Sequence, residues 1–248
     1  MKGAKQILLA GFAALCMFLP ACRSTTSTFI ENVKAPELVV SAAPLNSVSY
    51  TAEYAQAGAL PFTCEVKLAS GSRIRRDYVW KDEKGAEKRV TIVIDGTAAF
   101  RSEDTTSSLL GESDVARTSF FAGLVLDFDS VVAGARQKKD PVEFSVLGGK
   151  SCRAFAMELA GIPGIESCLA ATDPETDRWL ALFVRMTDEP NTAFRTEFQD
   201  YKTESGVTYP SRIVTTTEDG APVTCAIRDV KINPELPDEL FKLSEPNG

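Results

Sequence analysis

The sequence predicts a mainly β (α+β) fold, one antiparallel sheet interrupted by a single helical segment. Three observations carry this. Apolar and polar residues alternate at period two along most of the chain from Val48 onward. Turn residues break the pattern at short intervals, and only Ser113 to about Arg136 shows helical spacing. Period-two alternation describes strands with one buried face, and closely spaced turns join them as antiparallel neighbours.

In order along the chain, Val48, Tyr50, Ala52 and Tyr54 share one parity, as do Phe62, Cys64, Val66 and Leu68 against Thr63, Glu65 and Lys67. Ile74, Tyr78 and Trp80 share a face, and so do Val90, Ile92 and Ile94. Between these runs lie Ala69-Ser70-Gly71-Ser72, the charged turn Lys81 to Gly85, and Asp95-Gly96, a strong hairpin dipeptide.

From Ser113 to Arg136 the apolar residues Val115, Ala116, Phe120, Leu124, Phe128 (or Leu126), Val131 and Val132 fall near helical spacing. Ser113 or Asp114 can cap the start, and Gly134 with the basic run Arg136–Lys139 suits a helix end. Strands are then expected at 142–147, 151–159, 165–172, 178–187, 192–202, 207–218 and 222–232. In the last of them Val223, Cys225 and Ile227 have one parity and Val230 and Ile232 the other, which a bulge near Arg228-Asp229 reconciles. The end of the chain, Asn233 to Phe241, reads as a turn and a short helical piece that tucks Leu240 and Phe241 onto the core.

The first residues have a different character. Lys2 and Lys5 precede the uncharged run Ile7–Leu19, which has the length of a signal-peptide core and is short for a membrane-spanning helix. It ends in Leu19-Pro20-Ala21-Cys22, which resembles the bacterial lipobox, where a cysteine thiol takes a diacylglycerol before cleavage. The expected organisation is a lipoprotein signal at 1–21, a lipidated tether at 22–36 and one β domain at 37–248. Cys22 is the expected lipidation site, and its lipid the membrane anchor. Arg23 rather than Asp follows it, so the retention signal known for inner-membrane lipoproteins is absent. The expected place is therefore the outer membrane, periplasmic face.

Mean hydropathy is −0.06, that of a soluble globular body. Without Lys2 and Lys5 the chain carries 25 basic and 34 acidic residues, a net charge of about −9. Such a body, without a basic patch, is no nucleic-acid binder. The chain contains no histidine, which removes Ser-His and Cys-His nucleophilic sites and ordinary histidine-containing metal centres. Asp127 and Asp129 point to different faces of the expected helix, and Asp173, Glu175 and Asp177 sit in a turn, where acidic side chains are ordinary loop chemistry. No enzyme, metal or cofactor is expected, apart from the covalent lipid on Cys22.

Beyond Cys22, an exported chain with Cys64, Cys152, Cys168 and Cys225 is expected to form two disulfides, Cys64–Cys225 and Cys152–Cys168. One objection stands. If 151–159 and 165–171 pair as a hairpin, the second pair is offset by about five residues at roughly 3.3 Å each, too far for a bond. Either that region is irregular or another pairing holds.

The order of several local pieces resembles the outer-membrane lipoprotein-sorting carriers, the LolA/LolB-like superfamily. These are Arg73 to Trp80 leading into Val90 to Phe100, a helical segment, Thr172 to Thr176, Phe198 to Lys202, Gly206 to Pro210, and the closing Asn233 to Phe241. The resemblance implies a curved, unclosed, β-barrel-like antiparallel sheet with a helical lid over its concave face, and an apolar cavity for acyl chains. The lid would be 113–136, with Phe120, Phe121, Leu124 and Phe128 facing the cavity. Trp80, Phe100, Trp179 and Phe183 would belong to its sheet wall. The implied cargo is a lipid or lipoprotein. The competing expectation is a scaffold that docks an envelope protein partner and has a filled core.

Overall fold

The computed structural model describes residues 45–70, 73–95, 98–103, 106–111, 136–137, 142–146, 150–158, 165–176, 178–187, 193–217 and 220–242. The expected signal, Cys22, the tether, and Phe120, Phe121, Leu124 and Phe128 lie outside these residues. So do Asp127, Asp129 and Asp177. Among the described residues there is no α-helix, and Arg136, expected at a helix end, belongs to a short strand. The helical lid thus has no counterpart among the described elements.

The strands are β1 (Ser47–Gln56), β2 (Phe62–Ala69), β3 (Arg73–Lys81), β4 (Glu87–Asp95), β5 (Ala98–Glu103), β6 (Thr106–Leu109), β7 (Arg136–Gln137), β8 (Val142–Val146), β9 (Lys150–Glu158), β10 (Ile165–Thr172), β11 (Trp179–Met186), β12 (Ala193–Glu204), β13 (Val207–Thr217) and β14 (Val223–Ile232). They form one antiparallel sheet in the order β6-β5-β4-β3-β2-β1-β14-β13-β12-β11-β10-β9-β7. β8 pairs with β9 end to end with β7, against the same edge. Neighbours in sequence are neighbours in space almost throughout. The exceptions are the middle, where the first strand pairs with the last, and the edges, where β6 and β7 follow each other in order but lie at opposite ends of the sheet. The sheet is unclosed, its path ending at β6 on one side and β7 on the other. Each strand pair adds a right-handed twist of roughly 20–25°, so an open sheet this wide curls.

Turn chemistry fixes the register locally. Ser205 and Gly206 both have positive φ, 51° and 80°, as a two-residue type I′ turn requires between the paired ends Glu204 and Val207. Asp82 accepts from the backbone N–H groups of Lys84 and Ala86 at 2.9 Å each. Asp173 does the same for Glu175 and Thr176, at 2.8 and 3.0 Å. The expected bulge is present: Thr51 pairs with Arg228 but Ser49 with Lys231, and Asp229 takes up the extra residue at φ 52°. This switches parity and lets both Ile227 and Ile232 pack on one core.

That core is one cluster on the inner face, running from Ala99 on β5 through β1 and β14 to Met157 on β9. The outer face has its own features. The 3-10 turn Asp238–Phe241 lies against β3 and β4 there, with Phe241 buried outside the main cluster and its ring 5.3 Å under the Arg73 guanidinium. Phe241 is thus tucked in as expected, but onto the back of the sheet.

Beside it, Arg75 donates to both oxygens of the buried Asp77 carboxylate at 2.7 and 3.0 Å, and to the Leu240 carbonyl at 3.1 Å. Thr91 donates to Asp77 Oδ1 at 2.7 Å. Burial alone would raise the carboxyl pKa. The hydrogen bonds from Arg75 and Thr91 outweigh it and hold the group below the usual carboxylate range. A depressed folded-state pKa adds stability above the unfolded value near 4, lost as pH falls through the folded one. Asp77→Asn is expected to cost about 1.5 kcal/mol at pH 7 and to flatten the acid limb of the stability profile below about pH 4. Denaturant unfolding at pH 7 and pH 3 measures both.

The expected disulfides are absent: none of Cys64, Cys152, Cys168 and Cys225 is bridged to another, and all four are buried. The register explains why. Cys64 pairs with Ala52 on β1, while Cys225 pairs with Tyr54 on the far side of β1. Two strand spacings of roughly 4.8 Å and a two-residue offset exceed the ~7 Å limit between bridged Cα atoms. In the β9–β10 hairpin Cys168 pairs with Met157, five residues from Cys152. The two thiols also belong to clusters on opposite faces. Burial raises the Cys64 thiol pKa to about 11 and those of Cys168 and Cys225 to about 12, so none is a reactive thiolate at neutral pH. A thiol titration is expected to miss these four groups in the folded chain and to find them on unfolding. Reductant is expected to leave Tm unchanged; a reductant-induced fall in Tm would restore the bridges.

Candidate functional site

The inner face of β1–β4 and β14 can be read as cross-strand rows. Ile94, Ile74, Leu68, Val48 and Ile232 form one row. Ile92, Arg76, Val66 and Tyr50 form the next, then Val90, Tyr78, Cys64, Ala52 and Ile227. Trp80, Phe62, Tyr54 and Cys225 complete the series. Tyr54 stacks on Phe62 with ring centroids 4.5 Å apart, and Phe62 meets Tyr78 at 6.3 Å. One end of this face is therefore aromatic and the other aliphatic.

Of the sheet-wall residues expected from sequence, Trp80 lies in this cluster and Trp179 packs against it. Tyr201 donates its hydroxyl to the Trp179 carbonyl at 2.7 Å, which holds the start of β11 in place. Phe100 and Phe183 are placed differently. Phe100 pairs with Val93, whose parity is that of the outer face, and Phe183 packs with Cys152, Ala171 and Ala181 in the small outer cluster. At period two, one residue of register decides the face. Counting within β11 from Leu182 and Val184, which face inward, puts Phe183 outward.

Arg76 is the residue that sequence reasoning missed. It lies on the inner face between Ile74 and Tyr78, only 6% exposed, and its Nε has no hydrogen-bond partner. The guanidinium carbon sits 5.4 Å from the centre of the Tyr78 ring. Burial disfavours its charge, yet a guanidinium stays protonated in proteins. Burial also pushes the Tyr50, Tyr54 and Tyr78 hydroxyl pKa values up, so these groups and the Cys64 thiol are neutral around it. The signal was legible: the alternation that puts Ile74, Tyr78 and Trp80 on one face puts Arg76 there too. The Trp80 Nε1 donor is likewise buried and unpartnered.

Chemically, the face carries a continuous buried apolar cluster, one buried cation and several neutral donors. Among the described residues no group of histidine, cysteine and carboxylate side chains could hold a metal. Among the same residues no helix is long and apolar enough to cross a membrane.

No protein-family model matches the chain. No curated protein matches it by sequence either. Solved structures do match. A LolA superfamily protein from Nitrosomonas europaea aligns with a TM-score of 0.54 at 11% identity, over 81% of this chain and 92% of that one. A putative outer membrane lipoprotein-sorting protein domain from Vibrio parahaemolyticus aligns with a TM-score of 0.57 at 9% identity, over 80% and 90%. A DUF1329 family protein from Desulfovibrio piger gives 0.55 at 11% identity, over the same shares. At such identities the likeness is one of fold, and the chain has the open β fold of LolA-like proteins.

Proposed function

We propose that the chain is an envelope protein, held by a lipid on Cys22 at the periplasmic face of the outer membrane, that binds or carries an amphiphile on its inner face without catalysing a reaction. The supporting observation is the continuous apolar inner face, aromatic at one end, on a fold shared with a lipoprotein-sorting domain. Lipid or lipoprotein acyl chains suit such a surface, because burying each methylene contributes about 0.8 kcal/mol. The aromatic wall of this reading is Trp80 and Trp179, and the cover is the 113–136 segment with Phe120, Phe121, Leu124 and Phe128. Native mass spectrometry of chain purified from membranes is expected to reveal bound lipid, and a fluorescent fatty-acyl probe is expected to be taken up. Failure of both would end the carrier reading. The anchor has its own check: Cys22→Ser should no longer label with radioactive fatty acid.

A second reading is favoured by one observation. Edge strand β6 ends in Leu109, 71% exposed, a large apolar residue on a sheet edge that pairs with no further strand among the described residues. An adaptor that docks a partner strand there would need no cargo. Leu109→Asp would abolish partner capture in that case and leave probe uptake unchanged.

A further inference from the structure

We propose that Arg76 is the binding point for the headgroup of an amphiphile carrying a single oxyanion, a carboxylate or a phosphodiester, whose chain lies along the apolar rows beside it. This rests on the reading of the inner face as amphiphile-binding and adds the class of headgroup.

The molecule supplies its own comparison. Arg75, one residue earlier and on the opposite face, is satisfied as a structural arginine should be, gripping Asp77 with two nitrogens and the Leu240 carbonyl with a third. Arg76 is the more buried of the two, yet no carboxylate pairs with it among the described residues and its Nε is unpartnered. The nearby Cys64 thiol is a weak acceptor and carries no charge. Across the strands its neighbours are Val66 and Ile92, and along β3 they are Ile74 and Tyr78. Among the described residues its aromatic partner is the Tyr78 ring, which offers a π face and no negative charge. Buried charges are ordinarily paired, and a guanidinium presents five N–H donors in a planar fork that fits an oxyanion with two parallel hydrogen bonds.

The surroundings set the charge of what fits. The Tyr50 and Tyr78 hydroxyls and the Cys64 thiol are held neutral by burial, so they add donors and no competing anion. One cation balances one anion. A doubly charged headgroup would leave a charge unpaired in an apolar setting, and a neutral headgroup would leave the guanidinium unpaired.

The test uses purified full-length chain stripped of lipid, at pH 8, with a fluorescent fatty-acyl probe displaced by three ligands of equal chain length: palmitate, lysophosphatidylglycerol and hexadecanol. At least one of the two anions is expected to compete tenfold or more better than hexadecanol. Which one does so distinguishes a free fatty acid from a phospholipid headgroup. In Arg76→Met this advantage is expected to vanish while hexadecanol still competes, and Arg76→Lys should keep part of it. Equal competition by all three on the wild-type chain, which requires no variant to fold, overturns the headgroup assignment and leaves the carrier reading standing. An undiminished anion preference in Arg76→Met overturns the assignment as well. If neither probe nor ligand binds, the carrier reading and this inference fall together.

Discussion

Phe194→Ala is expected to lower the free energy of unfolding by about 4 kcal/mol. Phe194 is the bulkiest fully buried residue of the main cluster, on β12 opposite Thr217. Phe194 is fully enclosed by the core cluster, so the transfer term and the cavity term both count. Against a typical total of about 5–15 kcal/mol, such a loss brings the domain close to unfolding. The control is Phe183→Ala, at a half-buried ring in the small outer cluster. It is expected to cost about 1.5 kcal/mol, because part of that ring already faces water. Urea denaturation of both variants decides the matter, and equal losses would contradict the assignment of the two faces.

The second large effect runs the other way. Arg76→Met on lipid-free chain is expected to stabilise the fold by about 3 kcal/mol, since it removes an unpaired buried charge and adds apolar volume among Val66, Ile74 and Ile92. For a chain of this length that raises Tm by roughly 6–12 °C. Bound anionic lipid would stabilise the wild type and hide the difference, so the comparison requires stripped protein. A structural arginine would give the opposite sign, as Arg75→Met should. A residue that costs stability and is nonetheless present, in a sheet that packs well elsewhere, has the pattern of a functional position.

Much of the fold could be read from the chain because the governing signal is local. Every strand expected after Pro141 has a counterpart within a few residues, and even the bulge near Asp229 followed from a parity break. The cysteines were misread for a reason of another kind. Compartment and even number argue for bridges, but bridging depends on which strands intervene, and the placement of β1 between Cys64 and Cys225 is a long-range fact. The objection to Cys152–Cys168 was already sound, since it used only hairpin register. Phe100 and Phe183 show how little separates one face from the other: a bulky aromatic attracts attention as a cavity residue, and parity alone tells where it goes. Arg76 was passed over for the mirror-image reason: a charged side chain does not draw attention as a member of an apolar face, although parity puts it there.

The pairing of β1 with β14 also has a consequence for how the molecule is made. Val48, near the start of the domain, meets Ile232, close to its end. The strands on each side can assemble as hairpins with their sequence neighbours, but the two halves are joined only when the last strand arrives. Loop closure across almost the whole domain is slow compared with forming adjacent hairpins. Until that moment both β1 and β13 present raw edges, open to strands of other chains. A chain made from its N-terminus thus carries its most vulnerable edge for the entire time of its synthesis. Loss of only the final segment, 223–242, would leave that seam unjoined for good.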